Sequence, residues 1–294
     1  MSMRVLILGG RGYLGQRFLS LYPDAETSNV DIADTKELAR ILDTEKPDVV
    51  INTAGKTGRP NIDWCEEHKI ETLRSNVTGP LVLLEECSKR GIYWVHLSSG
   101  CIYEGGGHPP HRGGRKGGGS DCGFTEEDPP NFFGSFYSKT KLWSEQILKD
   151  FPNILILRLR MPFDSMPSDR NLIIKLCKYK RVLDVQNSLT YIPDLLDTAK
   201  TLIEKRAIGI YNMVNPGTMS PFDIMNLYKK IVQPEHEFER LTLADLPEVA
   251  RTGRSNCVLS NGKLEQEGIA LPDVHQRMEE AMHALMLLRF YACK

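Results

Sequence analysis

A doubly wound α/β fold is what this sequence predicts, with a smaller mixed part at its carboxyl end. Three observations carry the prediction. Short apolar runs alternate with helix-patterned stretches over residues 4–159, a glycine-rich turn follows the first run directly, and from about Met161 the alternation loses its regularity.

The elements follow in order. Arg4–Leu8 reads as a buried strand and Tyr13–Leu21 as a helix. A second strand, short and weakly apolar, is expected within Glu26–Val30, then a helix over Thr35–Leu42 and a strand over Val49–Asn52. Thr78–Lys89 is helical, with Leu81 and Leu84 at helical spacing; Tyr93–Ser98 is a strand, Ser138–Lys149 a helix and Ile154–Leu159 a strand. Further helices are expected at Asn171–Tyr179, Pro193–Lys205, Ser220–Ile231 and Asp273–Leu288. Strand–helix alternation of this kind implies a parallel sheet covered on both faces, with ligands outside the carboxyl ends of its strands. Residues 1–160 are expected to form a dinucleotide-binding domain. Residues 161–294 are expected to be mainly a substrate-binding part that closes a cleft over the sheet edge, with some segments returning to the sheet.

Composition removes several classes. The 294 residues hold 37 basic and 38 acidic side chains, a net charge of −1, which favours neither nucleic acid nor a membrane surface. Apolar runs such as Val5–Leu8 are far short of the roughly 20 residues of a membrane span. The first strand begins directly after Met3, so no signal peptide is expected. The cysteines (Cys65, Cys87, Cys101, Cys122, Cys177, Cys257, Cys293) show no zinc spacing and read as reduced thiols of a cytoplasmic protein. Gly105–Gly119 is mostly glycine with basic residues and reads as a surface loop. Its His108 and His111 lack carboxylate neighbours, and no metal site is expected.

The glycine turn is the first motif with chemistry. Gly9, Gly12 and Gly15 fall between the first strand and the first helix, where a dinucleotide fold needs a tight turn, close approach to a pyrophosphate, and close packing. The helix N-terminus, with Tyr13 and Leu14 in its first turn, offers free N–H groups to phosphates. This makes the sheet Rossmann-type. Asp31 and Ile32 are positioned to meet the adenine end. Arg11, inside the turn, can pair with a ribose 2′-phosphate, which favours NADPH, with NADH possible.

The second motif is Tyr137-Ser138-Lys139-Thr140-Lys141. Tyr137 and Lys141, four apart on a helix, share one face, and Ser98-Ser99 ends the preceding strand at the ligand edge. A Ser99–Tyr137–Lys141 group can hold a carbonyl oxygen and protonate it during hydride transfer, the adjacent ammonium and the positive nicotinamide ring being expected to lower the tyrosine's pKa. Cys101, two residues after Ser99, would face the same cleft if the strand end stays extended, and supplies a thiol suited to proton exchange.

These residues and their neighbours resemble a narrow family, the bifunctional nucleotide-rhamnose synthases, which are extended short-chain dehydrogenase/reductases with 3,5-epimerase and 4-reductase activities. The resemblance rests on Thr53–Glu66, Gly100–Glu104, Gly123–Asp128, Pro130–Lys141, Arg158–Pro162, Arg170–Ile173, Asn187-Ser188, Asn215–Gly217 and Arg254–Asn256, and spans nearly the whole chain. It implies cofactor positions at Ala54, Gly55, Lys56, Asn76, Tyr137, Lys141, Arg160 and Pro162, and substrate positions at Thr57, Asn171, Asn187 and Arg254. It also implies that Lys175 is the second acid–base beside Cys101, where the similar fucose-forming enzymes use a histidine. The implied substrate is UDP- or dTDP-4-keto-6-deoxyglucose, and extended members are often homodimers. A 4-reductase without epimerase activity and a non-catalytic regulatory subunit are the alternatives. The chain departs from the family in its long, basic glycine loop, in Ser99 where threonine is common, in its weak second strand, and after Ser260.

Overall fold

The computed structural model describes residues 3–107 and 123–292. In chain order, β1 (Val5–Leu8) runs into α1 (Tyr13–Leu21), β2 (Glu26–Ser28), α2 (Thr35–Glu45) and β3 (Val49–Asn52). Two short helices, α3 (Trp64–Glu67) and α4 (Lys69–Leu73), and a wide π-helical turn (Arg74–Thr78) lead into α5 (Gly79–Arg90). Then come β4 (Tyr93–Ser99), α6 (Phe136–Leu148), β5 (Ile154–Leu159), α7 (Leu172–Leu176), β6 (Arg181–Leu183), α8 (Ile192–Glu204) and β7 (Gly209–Met213). The chain closes with α9 (Pro221–Ile231), β8 (Glu239–Leu241), α10 (Gly262–Gln266) and α11 (Val274–Ala292).

Six strands pair in parallel in the order β2-β1-β3-β4-β5-β7. The order reverses between β1 and β3, the switch point at which doubly wound sheets bind ligands. Alternate residues of each strand enter opposite layers, as the strand's two-residue period requires. Ile7, Ile51, Val95 and Leu157 pack with Phe18 of α1 and Leu202 of α8. Leu6, Val50, Trp94 and Ile156 pack on the other side with Leu38 of α2, Leu83 of α5 and Leu148 of α6. Burial on both faces explains why these strands read as unbroken apolar runs.

A separate core, with Phe163, Ile173, Leu189, Met225 and Met282, holds α7, α9 and α11 together. Beside it β6 and β8 form a two-stranded parallel sheet.

The first-half elements and α8, α9 and α11 fall where expected. Four features differ. Helix α7 is shorter than Asn171–Tyr179, because Asn171 is its cap. The short helices α3, α4 and α10 were not expected, nor was the β6–β8 pair. Strand β7, whose position was not foreseen although some return to the sheet was expected, completes the main sheet. Its signature is broken by Asn212, which is fully buried yet bonded through its side chain to Arg158, Phe124 and Ser260. Among the described residues no helix is long and apolar enough to cross a membrane.

Candidate active site

The glycine turn forms a cradle whose shape depends on lacking side chains. Gly9 has φ +78°, and a Cβ there would lie 2.8 Å from the backbone nitrogen of Ala54. The loops leaving β1 and β3 therefore touch at the switch point. A Cβ on Gly15 would come within 2.3 Å of the Gly9 carbonyl, so α1 can start close under the turn only with glycine there. Gly12 is the N-cap of α1; no side chain caps the helix and its first turn carries no acid. An uncapped helix start with open backbone N–H groups fits a pyrophosphate.

The adenine end is arranged around charge. Asp31 is half-exposed and ion-paired with Arg74 at 2.8 Å, which holds its carboxyl below the usual range against the opposing effect of burial. Ile32 is 3% exposed and packs on Gly79, so its side chain belongs to the core. Arg11 is exposed, and its backbone N–H donates to Asn29 at 3.3 Å. The Tyr13 hydroxyl is committed to Asp164 at 2.9 Å, and Leu14 is partly buried against the core. On the β3 side, Asn76 accepts from the Lys56 N–H at 2.8 Å and donates to the Lys56 carbonyl at 2.9 Å and to Thr140 at 3.2 Å. That clamp fixes the Ala54–Lys56 loop against α6.

The catalytic group is built from the end of β4 and the start of α6. Ser135 caps α6, accepting from the Ser138 N–H at 3.1 Å, and Glu66 accepts from the Phe136 N–H at 2.6 Å. Farther along α6, Glu145 forms a buried ion pair with Arg158 of β5 at 2.7 Å and accepts from Ser98 at 2.6 Å. With both helix ends tied down, Tyr137 is held beside Ser99 in the lining of one cavity. Burial, with Cys101 adding, pushes the tyrosine's pKa up; the neighbouring Ser99 hydroxyl only partly opposes this. In the protein's own groups burial outweighs any lowering by the lysine. Lys141, its own pKa lowered by burial, gives its ammonium to the Leu97 carbonyl at 2.8 Å. The phenol thus keeps its proton, as a donor must.

Cys101 reaches the cleft by another route than expected. The chain leaves the extended conformation at Ser99 and enters a 3-10 turn over Gly100–Ile102, with the Cys101 N–H donating to the Ser99 hydroxyl at 3.2 Å. Burial pushes the thiol's pKa up, against the lowering influence of the nearby Ser99 and Ser138 hydroxyls.

A cavity of about 570 Å³ opens at this point. Thr57, Ser99, Cys101, Tyr137, Arg160, Pro162, Lys175, Asn187 and Arg254 all line it. Asn171 does not, which corrects its assignment. It is fully buried, donates to the Asp164 and Met166 carbonyls and caps α7. Lys175, on α7, has its pKa lowered by burial and by repulsion from Arg170 and Arg254. Arg160 bonds Asn187 and the Ser255 carbonyl, and Arg254 bonds both oxygens of Asp63 at 2.8 and 2.9 Å.

Sequence reasoning passed over Arg170, which lies within the quoted Arg170–Ile173 motif and donates to Thr57 at 3.0 Å, and also Lys180 and Arg181. With these the described lining holds six cations and no carboxylate. Among the described residues no group of three or more His, Cys, Asp or Glu could hold a metal ion. His108 and His111, and most of the glycine loop, lie outside the described residues.

A parallel doubly wound sheet with a glycine cradle at its switch point defines the class, a nicotinamide-dependent oxidoreductase. Residues 3–287 match the model of the RmlD substrate binding domain, and the chain belongs to that family. It is 40% identical to the bifunctional dTDP-4-dehydrorhamnose 3,5-epimerase/dTDP-4-dehydrorhamnose reductase of Arabidopsis thaliana, over 90% of this chain and 88% of that protein. A trifunctional UDP-glucose 4,6-dehydratase/UDP-4-keto-6-deoxy-D-glucose 3,5-epimerase/UDP-4-keto-L-rhamnose-reductase of the same plant is 37% identical; there the match covers 90% of this chain but only 40% of the longer protein. The crystal structure of the L780 UDP-rhamnose synthase from Acanthamoeba polyphaga mimivirus superposes with a TM-score of 0.86 at 28% identity, covering 97% of this chain and all of that one. A dTDP-4-dehydrorhamnose reductase from Bacillus anthracis, solved in complex with NADP, shares the fold over the full length of both chains, with a TM-score of 0.78 at 20% identity.

Proposed function

We propose that this enzyme inverts C3 and C5 of a nucleotide-linked 4-keto-6-deoxyglucose, UDP- or dTDP-linked, and then reduces C4 with NADPH, giving nucleotide-L-rhamnose. The observation that carries the reading is the lining of one cavity, where Ser99 and Tyr137 meet both Cys101 and Lys175 among cations suited to a diphosphate.

Inverting a carbon beside a ketone needs a base on one face and an acid on the other. Lys175, made less basic by burial and neighbouring arginines, gives up its proton readily and takes the ring proton. Cys101, whose thiol burial keeps protonated, returns one. Ser99 and Tyr137 hold the C4 oxygen, on which charge builds in the enolate. Bound NADPH supplies the hydride for reduction. Tyr137 then delivers its proton to the C4 oxygen, and Lys141, anchored on Leu97, sits one helical turn below to stabilise the phenolate left behind.

The Asp31–Arg74 pair supports NADPH over NADH, because a neutralised carboxylate does not repel a 2′-phosphate and Arg11 stays open to it. In this reading residues 1–160 hold the cofactor and residues 161–294 mainly the substrate, with Thr57, Arg170, Asn187 and Arg254 on its nucleotide diphosphate. The cytoplasm, with its reduced thiols, is the expected location. Trp143, Ile147 and Phe151, exposed in a stripe on and just past α6, suit a second copy of the chain in a homodimer.

Incubation of the 4-keto sugar nucleotide in heavy water without NADPH tests the reading. Wild type washes deuterium into C3 and C5, whereas Cys101→Ala does not, yet still reduces substrate already epimerised. Wild-type exchange in the variant would leave a 4-reductase with a packing thiol.

A further inference from the structure

Asp164 lies in the loop between β5 and α7, its carboxylate 4% exposed. From one side it accepts from Tyr13 at 2.9 Å and Arg17 at 2.7 Å, two residues one turn apart on α1, with the Arg17 guanidinium 5.0 Å over the Tyr13 ring. From the other side it accepts from Asn171 at 2.9 Å and from the Met166 N–H at 3.0 Å. Asn171 also donates to the Asp164 carbonyl at 2.7 Å, while its own oxygen caps α7 through the Ile173 N–H at 3.1 Å. One buried carboxylate therefore joins the helix that begins at the glycine cradle to the helix that carries Lys175.

Nothing within α7 can hold it in place. It has five residues, far fewer than a helix needs to persist by itself, so its orientation comes from tertiary contacts: Leu172, Ile173 and Leu176 pack in the core shared with α9 and α11, and the first turn is fixed by bonds at its cap. Those bonds run through Asn171 to Asp164 and on to α1. A ligand on the first turn of α1 steadies that helix and, through Asp164, the segment bearing Arg170 and Lys175. Order established once by the cofactor need not be established again by the second ligand.

We infer that Asp164 is a positioning residue that links cofactor binding at the glycine turn to the placement of α7 in the cavity. The inference rests on the proposed function in one respect, that Arg170 and Lys175 face the substrate.

The test is calorimetric titration of UDP, and separately of dTDP, into the full chain with and without saturating NADPH. In wild type, NADPH should tighten binding of the preferred nucleotide by about fivefold or more. In Asp164→Asn each ligand alone should bind within about threefold of wild type, while the ratio between the two conditions falls to about one. Tyr13→Phe, which leaves the Arg17–Asp164 pair intact, should give an intermediate ratio, and decides the matter if Asp164→Asn does not fold. A wild-type ratio of one overturns the inference. So does a full ratio retained in the variants alongside a lowered melting temperature, because Asp164 is then only a brace. Lys175→Met, run in parallel by heavy-water exchange, judges the acid–base reading separately. Exchange unchanged in that variant removes the reading, while the NADPH-dependent ratio still decides the role of Asp164.

Discussion

Two walls of the cavity are held by different means. On the sheet side, Ser99 and Cys101 lie within two residues of the carboxyl end of β4. Backbone ladders and the glycine turn hold them, and the side chains that brace this half, Glu145 with Arg158 and Asn76 with Thr140, lie outside the cavity lining. On the facing side, Lys175, Asn187 and Arg254 sit on a short helix and on irregular chain. There buried polar side chains do the holding. Asn187 alone accepts from Arg160 and the Cys257 N–H, and donates to the Val185 carbonyl and Asn256. A wall built on a ladder tolerates loss of a functional side chain with little structural cost. A wall built on buried amides should lose shape and function together.

The largest expected effect tests the ladder-built wall. Tyr137→Phe should lower NADPH oxidation by about 10²–10⁴-fold, the usual worth of a positioned proton donor. Cofactor affinity and the urea midpoint should stay close to wild type, since Ser99 and Lys141 keep their backbone anchors. A matching loss of stability would erase the distinction between the walls.

The facing wall should respond the other way. Asn187→Ala leaves the Arg160 guanidinium short of a partner and the Cys257 N–H buried without one, at about 1–3 kcal/mol for each unsatisfied group. Urea unfolding should show that loss, and KM for the sugar nucleotide should rise with it. Normal stability with a raised KM would make Asn187 a simple contact residue.

Smaller again is the effect of Arg11→Ala, which touches neither wall. Loss of a charge-assisted bond of about 1.5–3 kcal/mol should weaken NADPH roughly tenfold or more, and NADH hardly at all. Fluorescence titration with both cofactors reads it, and equal losses would show that Arg11 does not meet the 2′-phosphate.

The finest prediction concerns pH. Burial and the charges of Arg170 and Arg254 favour neutral Lys175, so its pKa lies below 10.5 and heavy-water exchange should rise with pH as the amine loses its proton. Arg170→Met removes one repelling charge, makes the ammonium easier to keep, and should move that rising limb to higher pH. A limb unmoved by the substitution, or moved to lower pH, would assign it to another group.

Much of the sheet half was legible because its signals are local. Period and apolar runs marked β1, β3, β4 and β5 to within a residue or two. The spacing of Gly9, Gly12 and Gly15 announced the cradle, and Tyr137 with Lys141 announced a shared helical face. The facing half was less legible. β7 hid behind a polar Asn212 whose partners come from residues 124, 158 and 260. Asn171 looked like a ligand residue because its motif mattered; its neighbour Arg170 reaches the cavity while Asn171 turns inward to cap α7.

The sequence by itself determined strands β1 to β5 with the longer helices between them, the glycine cradle and the chemistry available at the edge, since each depends on residue types at fixed short spacings. Tertiary structure decided which of those groups share a cavity and in what state. Burial raised Tyr137 and Cys101, burial with neighbouring arginines lowered Lys175, and Leu97 took the Lys141 ammonium. The reason is physical: desolvation and charge proximity depend on atoms brought together from distant parts of the chain, and no local pattern records them.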